Sequence, residues 1–403
     1  MRIIDRRVGV PLCFILTLLF KISKKLKKHN NVPLNIPPKI LYIELSEMGS
    51  TILAYAAIKK AFEIFPGVKL YFLIFEQNSK SLRLINIIPE ENICTIRSRS
   101  LIRFVIDTFR VLWRLRKERI DIVIDLELFS RFTSILAYLC GAKQRVGFYR
   151  FTLEGLYRGD LLTHRVAYNP YQHISLNFLS LVCALQSPTN EIPLVKRHLT
   201  HDEITVPSLD ADQQAKDIIW KKLKEVNPQI DPSNSIVILN PHAGKLLPIR
   251  AWPLKNYVEL TLRLLQDSDL YIIVVGTKEG LRDAERICRE VNDNRCLDMA
   301  AKLELEELIP LFNISHVLVT NDSGLPHFAS LTSIRMFVFF GPETPKVYAP
   351  LSPNCTPLYA SFACSPCVSA FNHRKTPCND NKCLQNIGVD YVYNMVKDHL
   401  DHT

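Results

Sequence analysis

The sequence predicts two α/β domains, each built on a parallel sheet, and three observations carry that prediction. The 403 residues exceed a single domain at roughly 100 to 200 residues apiece. From residue 39 onward, short β-rich runs alternate with helical patterns, the order that builds parallel sheets. A polar, proline-bearing stretch at 187–208 interrupts the alternation, which then restarts. Hydrophobic residues make up 47% of the chain and charged residues 22%, which supports large cores and excludes a disordered chain. The expected organisation is an appendage over 1–38, a first domain over 39–205 and a second over 206–403.

The appendage holds +7 of the net charge of +10, which leaves the body nearly balanced and argues against a nucleic-acid partner. Residues 8–20 form a 13-residue apolar run with one hydroxyl, Thr17, whereas a helix needs about 20 apolar residues to cross a bilayer. Lysines follow at 21, 24, 25, 27 and 28 where a secretory signal would carry small residues and a cleavage site. On a helix Lys21, Lys24, Lys25 and Lys28 fall on one stripe beside an apolar plug with Gly9 and Pro11 as its kink. The reading is a monotopic anchor on an anionic membrane surface, with a helix docked on the protein's own surface as the alternative. Residues 29–38, with three prolines, read as a linker.

In the first domain, 40–45, 70–75, 122–126 and 144–148 read as strands, and 51–65, 131–140 and 171–185 as helices. Residues 101–117 place Arg103, Asp107, Arg110, Arg114 and Lys117 on one helical face, while Ile102, Val105, Ile106, Phe109, Leu112 and Trp113 cover much of the rest. That pattern suits a helix covering the sheet or a second membrane contact. In the second domain the strands are 236–239, 270–275, 316–320 and 335–340, with helices near 254–266, 280–291 and 303–312. Facing α/β halves would leave a central cleft at the carboxyl ends of their strands, where ligands of such sheets bind.

Chemistry concentrates in the second half. A strand runs through Thr320-Asn321 into Asp322-Ser323-Gly324 and then a helix bearing His327. A helix start offers backbone N–H groups to an anion, a glycine lets the backbone approach closely, and a serine donates to an oxygen. Two further glycine-bearing loops follow strands: Asn240-Pro-His-Ala-Gly-Lys245, with Arg250-Ala-Trp-Pro253 beyond it, and Phe340-Gly341-Pro-Glu-Thr344. With Lys245 or Arg250 as counter-charge, these loops suit a pyrophosphate.

That ordered set of motifs resembles glycosyltransferase family 9, which includes ADP-heptose:lipopolysaccharide heptosyltransferases. Ile40-Leu-Tyr-Ile-Glu-Leu-Ser-Glu-Met-Gly49 resembles the family's opening strand and glycine turn, and 121–126 and 141–148 resemble later segments, so the likeness covers about 39–390. The resemblance implies a GT-B architecture, with two facing Rossmann-like domains, the first for the acceptor and the second for the nucleotide sugar. It implies inverting, metal-independent transfer that calls for no cofactor. In keeping with that, Asp210-Ala-Asp212 and Asp267-Ser-Asp269 read as solvated helix ends rather than metal sites.

The chain departs from the family at Gly49-Ser50, where many heptosyltransferases carry Gly-Asp with that aspartate as the proposed base. A serine hydroxyl does not accept a proton near neutral pH unaided. Glu47 in the same loop is the replacement candidate beside Ser50, with Glu44 second. Cys364, Cys367, Cys378 and Cys383 are open to three readings: a structural zinc site, a redox-labile pair or plain thiols. The expected function is transfer of a sugar, heptose from ADP-heptose, to a lipopolysaccharide-type glycolipid at the cytoplasmic face of the bacterial inner membrane. Two alternatives stand beside it: a nucleotide-sugar 2-epimerase, and a sugar-nucleotide-binding protein without catalysis.

Overall fold

The structure, a computed structural model, describes residues 2–26, 35–128, 130–244 and 247–402. It divides into two compact units, one of Met1–Thr205 with Ser369–Arg374 and one of Val206–Val368 with Lys375–Thr403. The short 369–374 stretch near the end of the chain therefore belongs to the first unit.

Unit 1 holds strands β1 (Lys39–Ile43), β2 (Lys69–Phe75), β3 (Ile93–Ile96), β4 (Ile122–Asp125), β5 (Gln144–Phe148) and β6 (His164–Val166). All pair in parallel, in the order β3-β2-β1-β4-β5-β6. Unit 2 holds β7 (Ser235–Asn240), β8 (Leu270–Val274), β9 (Cys296–Asp298), β10 (Val317–Asn321), β11 (Arg335–Phe340) and β12 (Cys355–Tyr359), also parallel, in the order β12-β11-β10-β7-β8-β9. Both are the doubly wound 3-2-1-4-5-6 arrangement of dinucleotide-binding sheets. The fold is α/β, as the sequence predicts.

Each sheet is buried on both faces, which is why its strands read as apolar runs rather than as alternations. On one face of the unit 1 sheet, Leu41, Ile43, Leu73 and Val123 pack with Val111 and Leu115 of the Leu101–Glu118 helix and Leu136 of the Arg131–Leu139 helix. On the other, Tyr42 is fully buried and its hydroxyl donates to the Ala57 carbonyl at 3.0 Å. In unit 2, Val237, Leu239, Val319 and Phe339 pack on Tyr257, Leu260 and Trp252. Trp252 stacks on Phe339 at 4.4 Å and donates from its indole nitrogen to the Ile387 carbonyl at 2.9 Å. Burial of each such side chain is worth about 1.5–3 kcal/mol, so these layers hold the loop-bearing strand ends rigidly.

Several elements differ from the sequence reading. The 51–65 helix is two, Met48–Leu53 and Tyr55–Ile64, separated at Ala54. The 303–312 helix opens as a 3-10 turn, Leu305–Glu307, before Leu308–Asn313. The apolar N-terminal plug is not kinked within: Gly9–Leu26 is one helix that starts at Gly9, after a turn at Val8 that closes Arg2–Arg7. Pro11 lies in its first turn, where the missing N–H has no helical partner to lose. Most of the proposed linker, together with Lys27 and Lys28, lies outside the described residues.

Candidate functional site

In unit 2, β11, β10 and β7 are consecutive neighbours running in parallel, so the loops that follow them lie side by side at one edge of the sheet. Chain order reverses between β10 and β7, and ligands of open parallel sheets bind outside the carboxyl ends at such a switch point.

Two asparagines at the strand ends lock the loops together. Asn321 accepts from the Trp252 backbone N–H at 2.8 Å and donates to the Pro241 carbonyl at 2.7 Å. Asn240 donates to Thr320 Oγ1 at 3.0 Å and to Ser323 Oγ at 3.4 Å. Arg250 Nη1 donates to the buried Asp322 carboxylate at 3.2 Å. Arg250, Asp322 and Ser323 thus meet at one corner.

Arg250 Nε and His242 Nε2 are buried with no hydrogen-bond partner among the described residues. An unsatisfied buried polar atom costs about 1–3 kcal/mol, and both atoms can bond to ligand oxygens. The other His242 nitrogen, Nδ1, is 3.1 Å from Asp283 Oδ2. A Cβ built on Gly324 meets no atom within 4 Å, so packing within the protein does not demand this glycine and the backbone beside it is open to approach.

Other assigned residues fare differently. His327 is buried in the helix after Gly324, but that helix, Leu325–Ala329, has only 5 residues. Few aligned peptide dipoles sum there, so an anion at this corner would be met by local N–H groups, Ser323 and Arg250 more than by a macrodipole. At Gly341 a Cβ would stand 2.8 Å from Cys383 Sγ and 2.9 Å from Leu384 Cγ. The close approach there is made by the protein's own tail. Lys245 lies outside the described residues.

In unit 1 the loop after β1 sits at the corresponding switch point, between β1 and β4. Glu47 caps the Met48–Leu53 helix position without a side-chain capping bond, accepts from Ser50 Oγ at 3.2 Å, and is ion-paired with Arg374. The structure therefore brings Glu47 and Ser50 together and adds an arginine 327 positions away in sequence. It also supplies two acids that the sequence reading left out, Asp125 and Glu127, from the end of β4.

Glu127 is buried and accepts from the backbone N–H of Leu45 and Ser46 at 3.0 and 3.1 Å and from Ser46 Oγ at 2.8 Å. It pins the loop that carries Glu47. Burial holds its carboxyl above the usual range, against the pull of the Ser46 hydroxyl. Burial does the same to Asp125, in spite of its ion pair with Arg158. Glu44, also buried, is pushed well above the ordinary glutamate value by burial and by Glu127 and Glu47 beside it. A carboxyl held in that way keeps its proton and makes a poor general base, so Glu44 fits worse than Glu47, whose carboxylate is partly exposed.

The acidic pairs expected to be solvated lie at the surface, where one residue of each closes local backbone. Asp212 accepts from Ala215 N at 2.8 Å to cap Gln213–Val226, and Asp267 accepts from Asp269 N at 3.2 Å. Of the four cysteines, Cys364 and Cys378 are exposed, Cys367 accepts from the Thr376 hydroxyl at 3.3 Å and Cys383 is buried. Among the described residues no group of three or more His, Cys, Asp or Glu side chains could hold a metal ion as placed, so the zinc reading of these cysteines gains no support. A pocket of about 350 Å³ opens between β3 and the Leu101–Glu118 helix, lined by Glu76, Arg97, Asp107, Arg110 and Arg114 among others. It contains none of the catalytic or donor-binding candidates, though Asp107, Arg110 and Arg114 of the 101–117 pattern line it.

Two doubly wound sheets of one topology, each with polar side chains gathered at its switch point, define the GT-B class of α/β fold. The chain belongs to glycosyltransferase family 9: the family model described as "Glycosyltransferase family 9 (heptosyltransferase)" matches residues 108–376. Lipopolysaccharide heptosyltransferase 2 of Salmonella typhimurium is 28% identical over 108 residues, 26% of this chain and 31% of that protein. Lipooligosaccharide heptosyltransferase 2 of Campylobacter jejuni is 22% identical over 190 residues, 45% of this chain and 56% of that protein. The chain thus spans between 31% and 56% of these curated relatives' lengths. Among solved structures, the ADP-heptose lps heptosyltransferase II of E. coli aligns with a TM-score of 0.69 at 16% identity, over 90% of this chain and 99% of that one. A family 9 glycosyl transferase of Veillonella parvula aligns with a TM-score of 0.68 at 16% identity, over 93% and 100%. At these identities the structural likeness establishes the fold.

Proposed function

We propose that this chain is an inverting, metal-independent glycosyltransferase that moves a sugar, heptose from ADP-heptose, onto a lipopolysaccharide-type glycolipid. The observation that carries the reading is the side-by-side placement of the loops after β7, β10 and β11, with Arg250, Asp322 and Ser323 at one corner. Family membership supplies the reaction class, and a solved relative, the E. coli heptosyltransferase WaaC, has been determined with ADP.

The chemistry asks for opposite charges at two places. An acceptor hydroxyl attacks the anomeric carbon in line as the nucleoside diphosphate leaves, through an oxocarbenium-like state of the kind glycosidases use. The developing negative charge on the diphosphate is met by Arg250, Ser323 and the N–H groups at Gly324, dipoles already in place before the reaction. Glu47, oriented by Ser50 and Arg374, takes the hydroxyl proton, a contribution of roughly 10²–10⁴-fold. His327 and Lys245 complete the donor set. No step needs a metal ion.

A lipid-borne acceptor also calls for a place at the membrane. The Gly9–Leu26 helix provides it, as a peripheral attachment at the cytoplasmic face of the bacterial inner membrane. No helix among the described residues is long and apolar enough to cross one.

The test is nucleoside diphosphate release from ADP-heptose, with and without a bacterial membrane lipid extract. Release that requires lipid is the expected result, and Glu47→Gln should lower it by roughly 10²-fold or more while leaving ADP binding intact. Epimerised sugar nucleotide in the absence of lipid would replace transfer with isomerisation, and unchanged turnover in Glu47→Gln would take Glu47 out of the mechanism.

A further inference from the structure

Two apolar rows exposed on unit 1 take no part in this chemistry. The Gly9–Leu26 helix buries one narrow stripe, Gly9, Cys13, Leu16 and Thr17, on the body of the unit. Phe20 meets Tyr138 edge-on at 5.7 Å, and Lys21 pairs with Asp160 at 3.3 Å. Just before it, Asp5 accepts from the backbone N–H groups of Arg131 and Phe132 at 3.0 and 3.1 Å and pairs with the Arg131 guanidinium at 3.0 Å. Both helical readings of the segment thus meet in one element: it is docked, yet Val8, Phe14, Ile15, Leu18, Leu19 and Ile22 stay 46% to 57% exposed.

The Leu101–Glu118 helix repeats the pattern. It buries Asp107, Val111 and Leu115 toward the sheet and leaves Ile102, Ile106, Phe109 and Trp113 between 50% and 73% exposed. Its position is fixed by topology. The connections β3 to β4 and β4 to β5 both run toward the β6 edge, and right-handed crossovers put both helices on one face of the sheet.

Direct contacts agree. The Arg131–Leu139 helix touches Leu101–Glu118 on one side, through Phe104 on Phe132 at 4.8 Å and Arg116 Nε donating to the Leu139 carbonyl at 2.7 Å. The same helix also carries Gly9–Leu26, through Ile135 and Tyr138. Gly9–Leu26 and Leu101–Glu118 thus share a neighbour, and each presents an apolar row to solvent.

Charge says what covers them. Arg103, Arg110, Arg116 and Lys117 on one helix and Lys24 and Lys25 on the other are all exposed beside these rows. The acids on the same elements are already engaged: Asp5 by Arg131, Asp107 by Arg97 and Glu118 by Lys39. A second copy docked by two-fold symmetry would set like charges against each other, whereas an anionic lipid surface complements the basic residues while taking up the apolar rows.

We propose that the outward rows of Gly9–Leu26 and Leu101–Glu118 form a single docking face for an anionic phospholipid surface, with Phe109 and Trp113 inserted at the headgroup boundary. This extends the membrane attachment proposed above and is independent of sugar transfer.

Trp113 is its own reporter. In a Trp220→Phe variant the remaining Trp252 is buried and constant. Vesicles of phosphatidylglycerol and phosphatidylethanolamine should shift Trp113 emission to the blue, and brominated phosphatidylglycerol should quench it. Phe109→Ser with Trp113→Ser should weaken vesicle partitioning by roughly 10- to 100-fold, with the thermal melt and the turnover on a detergent-solubilised acceptor unchanged. An Ile15→Asp, Leu19→Asp variant reads the contribution of the first helix separately.

Vesicle binding with Trp113 emission unmoved would overturn the two-helix face and leave attachment by Gly9–Leu26 alone. Failure to bind vesicles at all would overturn both, without touching transfer to the solubilised acceptor. A blue shift that grows with protein concentration in the absence of lipid would assign the face to a second copy instead.

Discussion

The loop after β1 is held by side chains from three places: Ser50 and Arg374 on the Glu47 carboxylate, and Glu127 on the backbone of Leu45 and Ser46. Glu47 could be singled out because it shares a turn with Gly49 and Ser50, and the structure puts its carboxylate on Ser50. Arg374 and Glu127 could not, because the first lies 327 positions and the second about 80 from the loop they hold, and no local pattern links such positions. Asp322, a donor-binding candidate from its place before Ser323 and Gly324, is also paired with Arg250, so the two act as a unit. The buried Glu44 gives a prediction with a definite sign. Its native carboxyl is held well above the ordinary value of 4.5, so its contribution to stability is fully present below that value and is lost as pH rises through the native one. Glu44→Gln should therefore melt at a higher temperature than the parent near neutral pH, and the gap should close as pH falls toward about 4. Thermal melts across that range check it; a gap that does not change with pH would mean that the raised Glu44 carboxyl is not its source.

At the level of elements, the sequence reading found eight strands and missed β3, β6, β9 and β12, and these are the four edge strands of the two sheets. Central strands are covered on both faces and read as unbroken apolar runs. Edge strands are short and carry polar residues or proline, as in His164-Arg165-Val166 and Cys355-Thr356-Pro357, the features that keep an exposed edge from pairing further. Since the assigned loops follow central strands, the site was legible where the sheet rim was not. Gly341 marks the limit of reading a glycine from sequence: the same residue type suits a ligand's approach or a neighbour's, and here Cys383 and Leu384 occupy the space. Gly341→Ala should cost about 1–3 kcal/mol through overpacking, read from denaturant melts. If stability is unchanged while ADP affinity falls, the glycine serves the ligand after all.

For the whole molecule, alternation of strand and helix was enough to give two parallel-sheet units, and the restart after residue 205 follows the polar break. What alternation cannot give is strand order, because the same pattern fits several doubly wound sheets; the 3-2-1-4-5-6 order in both units is what sets the assigned loops at switch points. That placement gives family membership a chemical reading, since it gathers a cation, a hydroxyl and accessible backbone N–H groups where the leaving diphosphate of the proposed reaction would sit. A crystal structure of the protein soaked with ADP measures this most directly. The diphosphate should lie within hydrogen-bonding distance of Arg250, Ser323 and the backbone N–H at Gly324; phosphorus atoms bound away from the ends of β7 and β10 would contradict the account.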